Sequence, residues 1–181
     1  MGEAPVLQTE RLILRPFQTG DADAQASMMG DPEVMRHLGG QPVSREEAWR
    51  KLLCGHALWS LLGFGYWAVA PREGGAMIGQ IGFADFQRDM KPSISGLPEM
   101  GWLFARAAAG QGFATEAAVA GLAWIDEALG APEIAAIIDK ENAASIRVAQ
   151  KTGFARRECA LYRGEPIFLF KRGNAKVQEA S

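Results

Sequence analysis

From residue 6 onward the chain switches between a period of two and a period near 3.6. VLQTERLILRPF (6–17) alternates, with Leu12 and Leu14 set against Arg11, Ile13 and Arg15, and Pro16 ends it, so a strand is predicted. Asp21 stands as N-cap of a short helix. Ser44 with Glu47 forms a capping box for a longer one, whose apolar face is predicted as Ala48, Leu52, Leu53 and Leu62. YWAVA (66–70) and MIGQIGFADF (77–86) read as two strands joined by a turn at Arg72–Gly75. Residues 87–98, with Pro92, Gly96 and Pro98, read as loop, and EMGWLFA (99–105) as a strand. Ala114, Ala118, Leu122, Ile125 and Leu129 share one helical face from Phe113 onward, with Gly130 and Pro132 as the stop. EIAAIID (133–139) is strand-like, Asn142 to Thr152 a helix ended by Gly153, and FARREC and PIFLFK two closing strands. The order is β-α-α-β-β-β-α-β-α-β-β, without repeats or linkers. It predicts one mixed α/β domain over residues 1–181, an antiparallel meander passing into a βαβ unit, with a frayed tail at 174–181.

Composition narrows the classes. At 181 residues, 48% hydrophobic and 22% charged, the chain can bury an ordinary core and is not disordered. Nineteen basic and 21 acidic residues give −2, with no clustered basic stretch, so no nucleic-acid partner is expected. The start has no apolar leader, and Cys54 and Cys159 read as reduced, small, buried residues, so a cytoplasmic setting is expected. Residues 52–71 hold no Asp, Glu, Lys or Arg over about the length of a membrane span. Gly63-Phe64-Gly65 punctuates them, and they read as the end of a helix, a turn and a strand rather than a span. Two histidines, with His56 on an apolar helix, offer no metal site. Trp67, Trp102 and Trp124 read as core, whereas Trp49 and Trp59 are candidates for a cleft wall.

The unusual count is glycine, 21 of 181. Gly110 and Gly112, in AGQGFATEA (109–117), lie between a strand and a helix, where unpaired N–H groups at a positive helix end bind anions and glycine lets the backbone touch them. A tight turn explains the same residues. The motif is not a phosphate-binding P-loop, since no Gly-Lys-Ser/Thr follows, and Thr115 occupies the third glycine position of a dinucleotide fingerprint. Asn142-Ala143-Ala144-Ser145 opens the next helix, where Asn142 serves equally as a plain N-cap.

Taken together, AGQGFATEA followed by ENAASIRVAQKTGF (141–154) resembles the GNAT superfamily of N-acetyltransferases. LQTERLILRPF and EMGWLFARAAAGQGFATEA look like its ribosomal-protein N-terminal acetyltransferase (RimJ/RimL-like) branch, over about residues 6–172. The resemblance implies a mixed, mostly antiparallel, twisted sheet splayed in the middle and flanked by helices. It implies acetyl-CoA as co-substrate, no metal, and a primary-amine acceptor on a protein, a peptide or a small molecule, with a homodimer as an analogy only. The pyrophosphate would rest on the amides of Gln111, Gly112, Phe113 and Ala114, with Thr115 completing the turn. The pantetheine would lie between the strands through Leu103-Phe104-Ala105 and Ile137-Ile138, using Phe104 and Ala105, with Asn142 against it. Two family positions differ: Ala107 stands where Gln or Arg is frequent, and Ala149 where many members hold a tyrosine acid. The acid role therefore moves to Ser145, with Tyr162 as alternative. Direct transfer needs a base for the ammonium and a donor for the leaving thiolate. Glu99 is the expected base and Asp85 the second choice. A non-catalytic CoA-binding or sensing module with the same fold is the alternative.

Overall fold

The computed structural model describes residues 2–130 and 133–173; the expectations for Pro132 and for the tail at 174–181 lie outside them. Among the described residues nine strands form one sheet: β1 (Leu7–Gln8), β2 (Leu12–Arg15), β3 (Tyr66–Pro71), β4 (Gly79–Ala84), β5 (Met90–Lys91), β6 (Glu99–Phe104), β7 (Glu133–Asp139), β8 (Arg156–Tyr162) and β9 (Glu165–Gly173). Their order across the sheet is β1-β2-β3-β4-β6-β7-β9-β8-β5. Helices α1 (Ala22–Gly30), α2 (Pro32–Met35), α3 (Arg45–Leu62), α4 (Phe113–Ala128) and α5 (Ala143–Lys151) flank it. The expected meander and βαβ unit are present. The expected strand 6–17 is two, because the chain turns at Thr9–Arg11, where the Thr9 N–H donates to the Leu12 carbonyl. The expected strand 77–86 is shorter, the loop at 87–98 contains β5 paired to β8, and α2 is an addition.

Alternation along the strands builds two cores. Leu12, Leu14, Trp67, Val69, Ile81 and Phe83 face α4 and α5, which bury Ala117, Ala118, Leu122, Ile125 and Ala149 against them. Ala68 and Leu103 face Phe17, Met28, Met29, Ala48 and Leu52. Each large apolar side chain so buried contributes ~1.5–3 kcal/mol. The Ser44–Glu47 capping box forms as expected, but the buried face of α3 is Ala48, Leu52, Gly55 and Trp59; Leu53 and Leu62 lie outside it, and no described helix is long and apolar enough to cross a membrane. On α4 likewise Gly121 rather than Leu129 is buried. Cys54 and Cys159 are exposed, contrary to the expected burial. Trp59 is core: it packs edge-on against Trp67 and Trp124, and its indole donates to the Tyr66 carbonyl at 3.0 Å.

One seam in the sheet is nearly unpaired. Strand β6 pairs with β4 along its whole length, antiparallel from Gly79↔Phe104 to Ala84↔Glu99. Strand β7 pairs fully with β9. Between β6 and β7, which run parallel, the ladder is the single pair Glu99↔Ala135. Beyond it the strands diverge toward α4 and α5, as the expected splay requires.

Candidate active site

The site starts at the turn into α4. Gly110 and Gly112 have φ of +76° and +81°, values at which any side chain is strained. Gly112 is the N-cap of α4 with no side-chain cap, and the first helical bond runs from the Glu116 N–H to the Gly112 carbonyl at 3.0 Å. The N–H groups of Phe113, Ala114 and Thr115 therefore have no partner in the helix, and these residues line a cleft of about 710 Å³. Arg11 clamps the turn from β2's edge. Its Nη1 donates to the Gln111 carbonyl at 3.0 Å, its Nε to Glu116 at 2.7 Å, and its guanidinium lies 4.6 Å over the Phe113 ring. Burial pushes the Glu116 carboxyl up, but bonds from Thr9 and Arg11 outweigh it and hold it below its ordinary pKa.

The cleft runs into the fork. Trp102, Phe104, Asn142 and Ser145 line it, and Arg106, Arg147 and Lys151 stand along its wall. Ala105 and Gln111 do not line it: the Ala105 N–H donates to the Ile78 carbonyl at 2.8 Å, and the Gln111 side chain turns back to the Ala107 carbonyl, also at 2.8 Å. Asn142 is the N-cap of α5, its Oδ1 accepting from the Ser145 N–H at 3.0 Å. The Ser145 Oγ accepts from the Trp102 indole at 3.2 Å, so its own proton remains available. Trp102, read from the sequence as core, is thus a wall residue. Its position on a forked strand is what distinguishes it, and no local pattern records a fork.

A second cavity, about 230 Å³, opens at the other end of the fork and is lined by Tyr66, Gln80, Phe86, Arg88, Glu99 and Asp139 among others. Glu99 is 4% exposed, and Arg88 grips both its oxygens, Nη2 on Oε1 at 2.8 Å and Nε on Oε2 at 2.5 Å. Arg88 also donates to the Tyr162 hydroxyl at 2.8 Å and lies over the rings of Phe86 and Tyr162. Burial works against the charge on Arg88, but Glu99 and Tyr162 outweigh it and raise its pKa. Burial and the Glu99 charge push the Tyr66 hydroxyl far up. A Cβ on Gly101 would meet that hydroxyl, so a side chain there would displace the Tyr66 ring. Asp85 lines neither cavity; its oxygens accept from the Gly96 N–H and from Gln87 and close the loop after β4. Tyr162 and Trp49 line neither cavity either. Six residues line both: His37, Leu38, Trp102, Leu103, Asn142 and Ser145. No group of three or more His, Cys, Asp or Glu suited to a metal occurs among the described residues.

A glycine-punctuated helix start facing a forked sheet, with two cavities meeting in the fork, defines an acyl-transferase fold of the GNAT type. The acetyltransferase (GNAT) domain family matches residues 11–155, and the chain belongs to it. An uncharacterized N-acetyltransferase of Bacillus subtilis, YoaA, is 31% identical over 156 residues, covering 84% of each chain. The structure of a putative GNAT-family acetyltransferase from Bordetella pertussis is 28% identical with a TM-score of 0.81, covering 94% of this chain and all of that one. The ribosomal L7/L12 acetyltransferase RimL, solved with coenzyme A, shares the fold at 15% identity and a TM-score of 0.73, covering 93% of this chain and 98% of that one.

Proposed function

We propose that the protein transfers the acetyl group of acetyl-CoA directly to a primary amine, at a protein or peptide N-terminus as in the RimJ/RimL-like branch or on a small molecule. The observation that carries this is the continuity of the unpaired turn at Gly112–Thr115 with the forked edge between β6 and β7. The turn fits a pyrophosphate: its free amides face the cleft, and positive-φ glycines put no side chain between them and an anion. The fork fits an amide-bearing arm, because β6 beyond Glu99 has no ladder on that side. Acetyl-CoA supplies the thioester. Phe104 and Asn142 line the arm's channel, while Ala105 and Gln111 contribute by shaping it rather than by contact. Ser145, with its proton free and its oxygen held by Trp102, donates to the departing sulfur. Glu99 sits in the acceptor cavity with Arg88 bonded to each of its oxygens.

The test is thiol release from acetyl-CoA in the presence of an amine panel, beside calorimetric binding. The expected result is turnover with at least one amine and, for Ser145→Ala, a kcat lower by about 10²-fold or more at unchanged acetyl-CoA affinity. A thermal shift with acetyl-CoA but no thiol release from any amine supports the non-catalytic module instead. Absence of binding overturns both.

A further inference from the structure

The two cavities meet at six residues, and transfer must occur where they meet. Of those six, His37, Leu38, Trp102, Leu103, Asn142 and Ser145, the histidine alone carries a side-chain nitrogen with a basic lone pair. His37 lies in the turn after α2, its side chain 22% exposed, with Nδ1 3.3 Å from Oδ2 of Asp139 at the end of β7. Asp139 is held in turn, its Oδ1 accepting from the Glu141 N–H at 2.7 Å. A carboxylate beside Nδ1 can accept that atom's proton, and in that tautomer the Nε2 lone pair is free. Glu99, by contrast, lines only the acceptor cavity, and each of its oxygens is engaged by Arg88. The α2 segment is also fixed across the fork: Asp31, its N-cap, lies 3.1 Å from Arg106 on the β6 side, and His37 meets Asp139 on the β7 side. The imidazole is thus carried on a strap tied to both lips of the channel.

Resting on the acetyltransferase reading above, we propose that His37 is the catalytic base and Asp139 its positioning residue. Nε2 takes one proton from the acceptor ammonium. The freed amine nitrogen bonds to the acetyl carbon as the carbon–sulfur bond breaks. The nitrogen's second surplus proton passes by way of Ser145 to the sulfur, giving the amide and the CoA thiol, and His37 returns its proton to water. A base is needed most by an amine that is fully protonated at the assay pH. An alkylamine near 10 depends on it more than an α-amine near 8, and an arylamine, already neutral, hardly at all.

The experiment compares wild type, His37→Gln, His37→Gly, Asp139→Asn and Glu99→Gln on a polyamine, a dipeptide amide and an arylamine. Acetyl-CoA affinity and melting temperature are measured alongside. Expected for His37→Gln is a kcat lower by about 10²–10³-fold on amines protonated at the assay pH, at unchanged affinity and stability. The loss shrinks on the arylamine, and added imidazole restores part of the His37→Gly activity. Asp139→Asn lowers kcat less, and Glu99→Gln shows no response to imidazole. A His37→Gln kcat within threefold of wild type overturns the proposal. So does a loss equal on all three amines with no imidazole rescue, which marks His37 as a strap contact only. A wild type that turns over none of the amines removes the acetyltransferase reading itself and this base with it.

Discussion

Gly112 ends the approach to α4 at φ +81°, and a side chain there is strained before any ligand arrives. A Cβ would also stand 3.5 Å from the Arg11 guanidinium that holds the turn. Gly112→Val therefore both strains the turn and screens the free amides of the helix start. The expected result is acetyl-CoA affinity weaker by about 10–100-fold with the fold intact by circular dichroism; unchanged affinity places the pyrophosphate elsewhere. Residues of this kind are legible in a sequence, because glycine at a strand-to-helix turn has few explanations. Asn142 is legible for the same reason, as a cap. Trp102, His37 and Asp139 are not: each gains its role from a neighbour distant in the chain, Ser145 for Trp102 and β7 for His37. Cys54 and Cys159 show the converse error, since small apolar chemistry says nothing about which face of α3 or β8 looks outward.

At the scale of elements, the start of α4 is built jointly with the β1–β2 turn. Glu116 accepts from Thr9, from the Arg11 backbone and from the Arg11 side chain, and Arg11 reaches on to Gln111. A carboxylate in the first turn also complements the positive helix end. Its folded pKa is depressed below the ordinary 4.5, so the clamp contributes fully above that value and is lost as pH falls through the folded one. Asp21 behaves alike: burial opposes its charge, but Arg15 and the Gln18 N–H win and depress it below 3.8. The melting temperature should therefore fall as pH drops below about 4.5, and Glu116→Gln should melt lower near neutrality with a shallower acid dependence. Equal slopes in wild type and variant would show that the clamp adds nothing. Strands and helices of ordinary length were readable from period alone. The two-residue strands and α2 were not, because their pairing partners and anchors lie far away in sequence.

At the scale of the whole molecule, the sheet is two sheets joined at one residue pair. Strands β1, β2, β3, β4 and β6 form one half and β7, β9, β8 and β5 the other, with Glu99↔Ala135 between them. The halves are held together by the packing of α4 and α5 over the fork, where Leu122 and Ile125 join Ile134, Ala136, Ile138 and Ala149 in one core, and by Arg88, which bonds Glu99 of one half and Tyr162 of the other. A sheet left open in this way gives up hydrogen bonds that a ligand's amides can replace, so binding and stability are coupled through the fork. Ligand at 100 times its dissociation constant stabilises by about 2.7 kcal/mol, which raises the melting temperature of a chain this long by roughly 5–10 °C. The distribution of that effect is more informative than its size. If the arm of acetyl-CoA completes the sheet, amide exchange slows along the facing edges of β6 and β7 as well as at Phe113–Thr115. If protection is confined to the start of α4, the nucleotide end is bound at the turn while the fork serves another purpose, and the direct-transfer geometry between the two cavities loses its support.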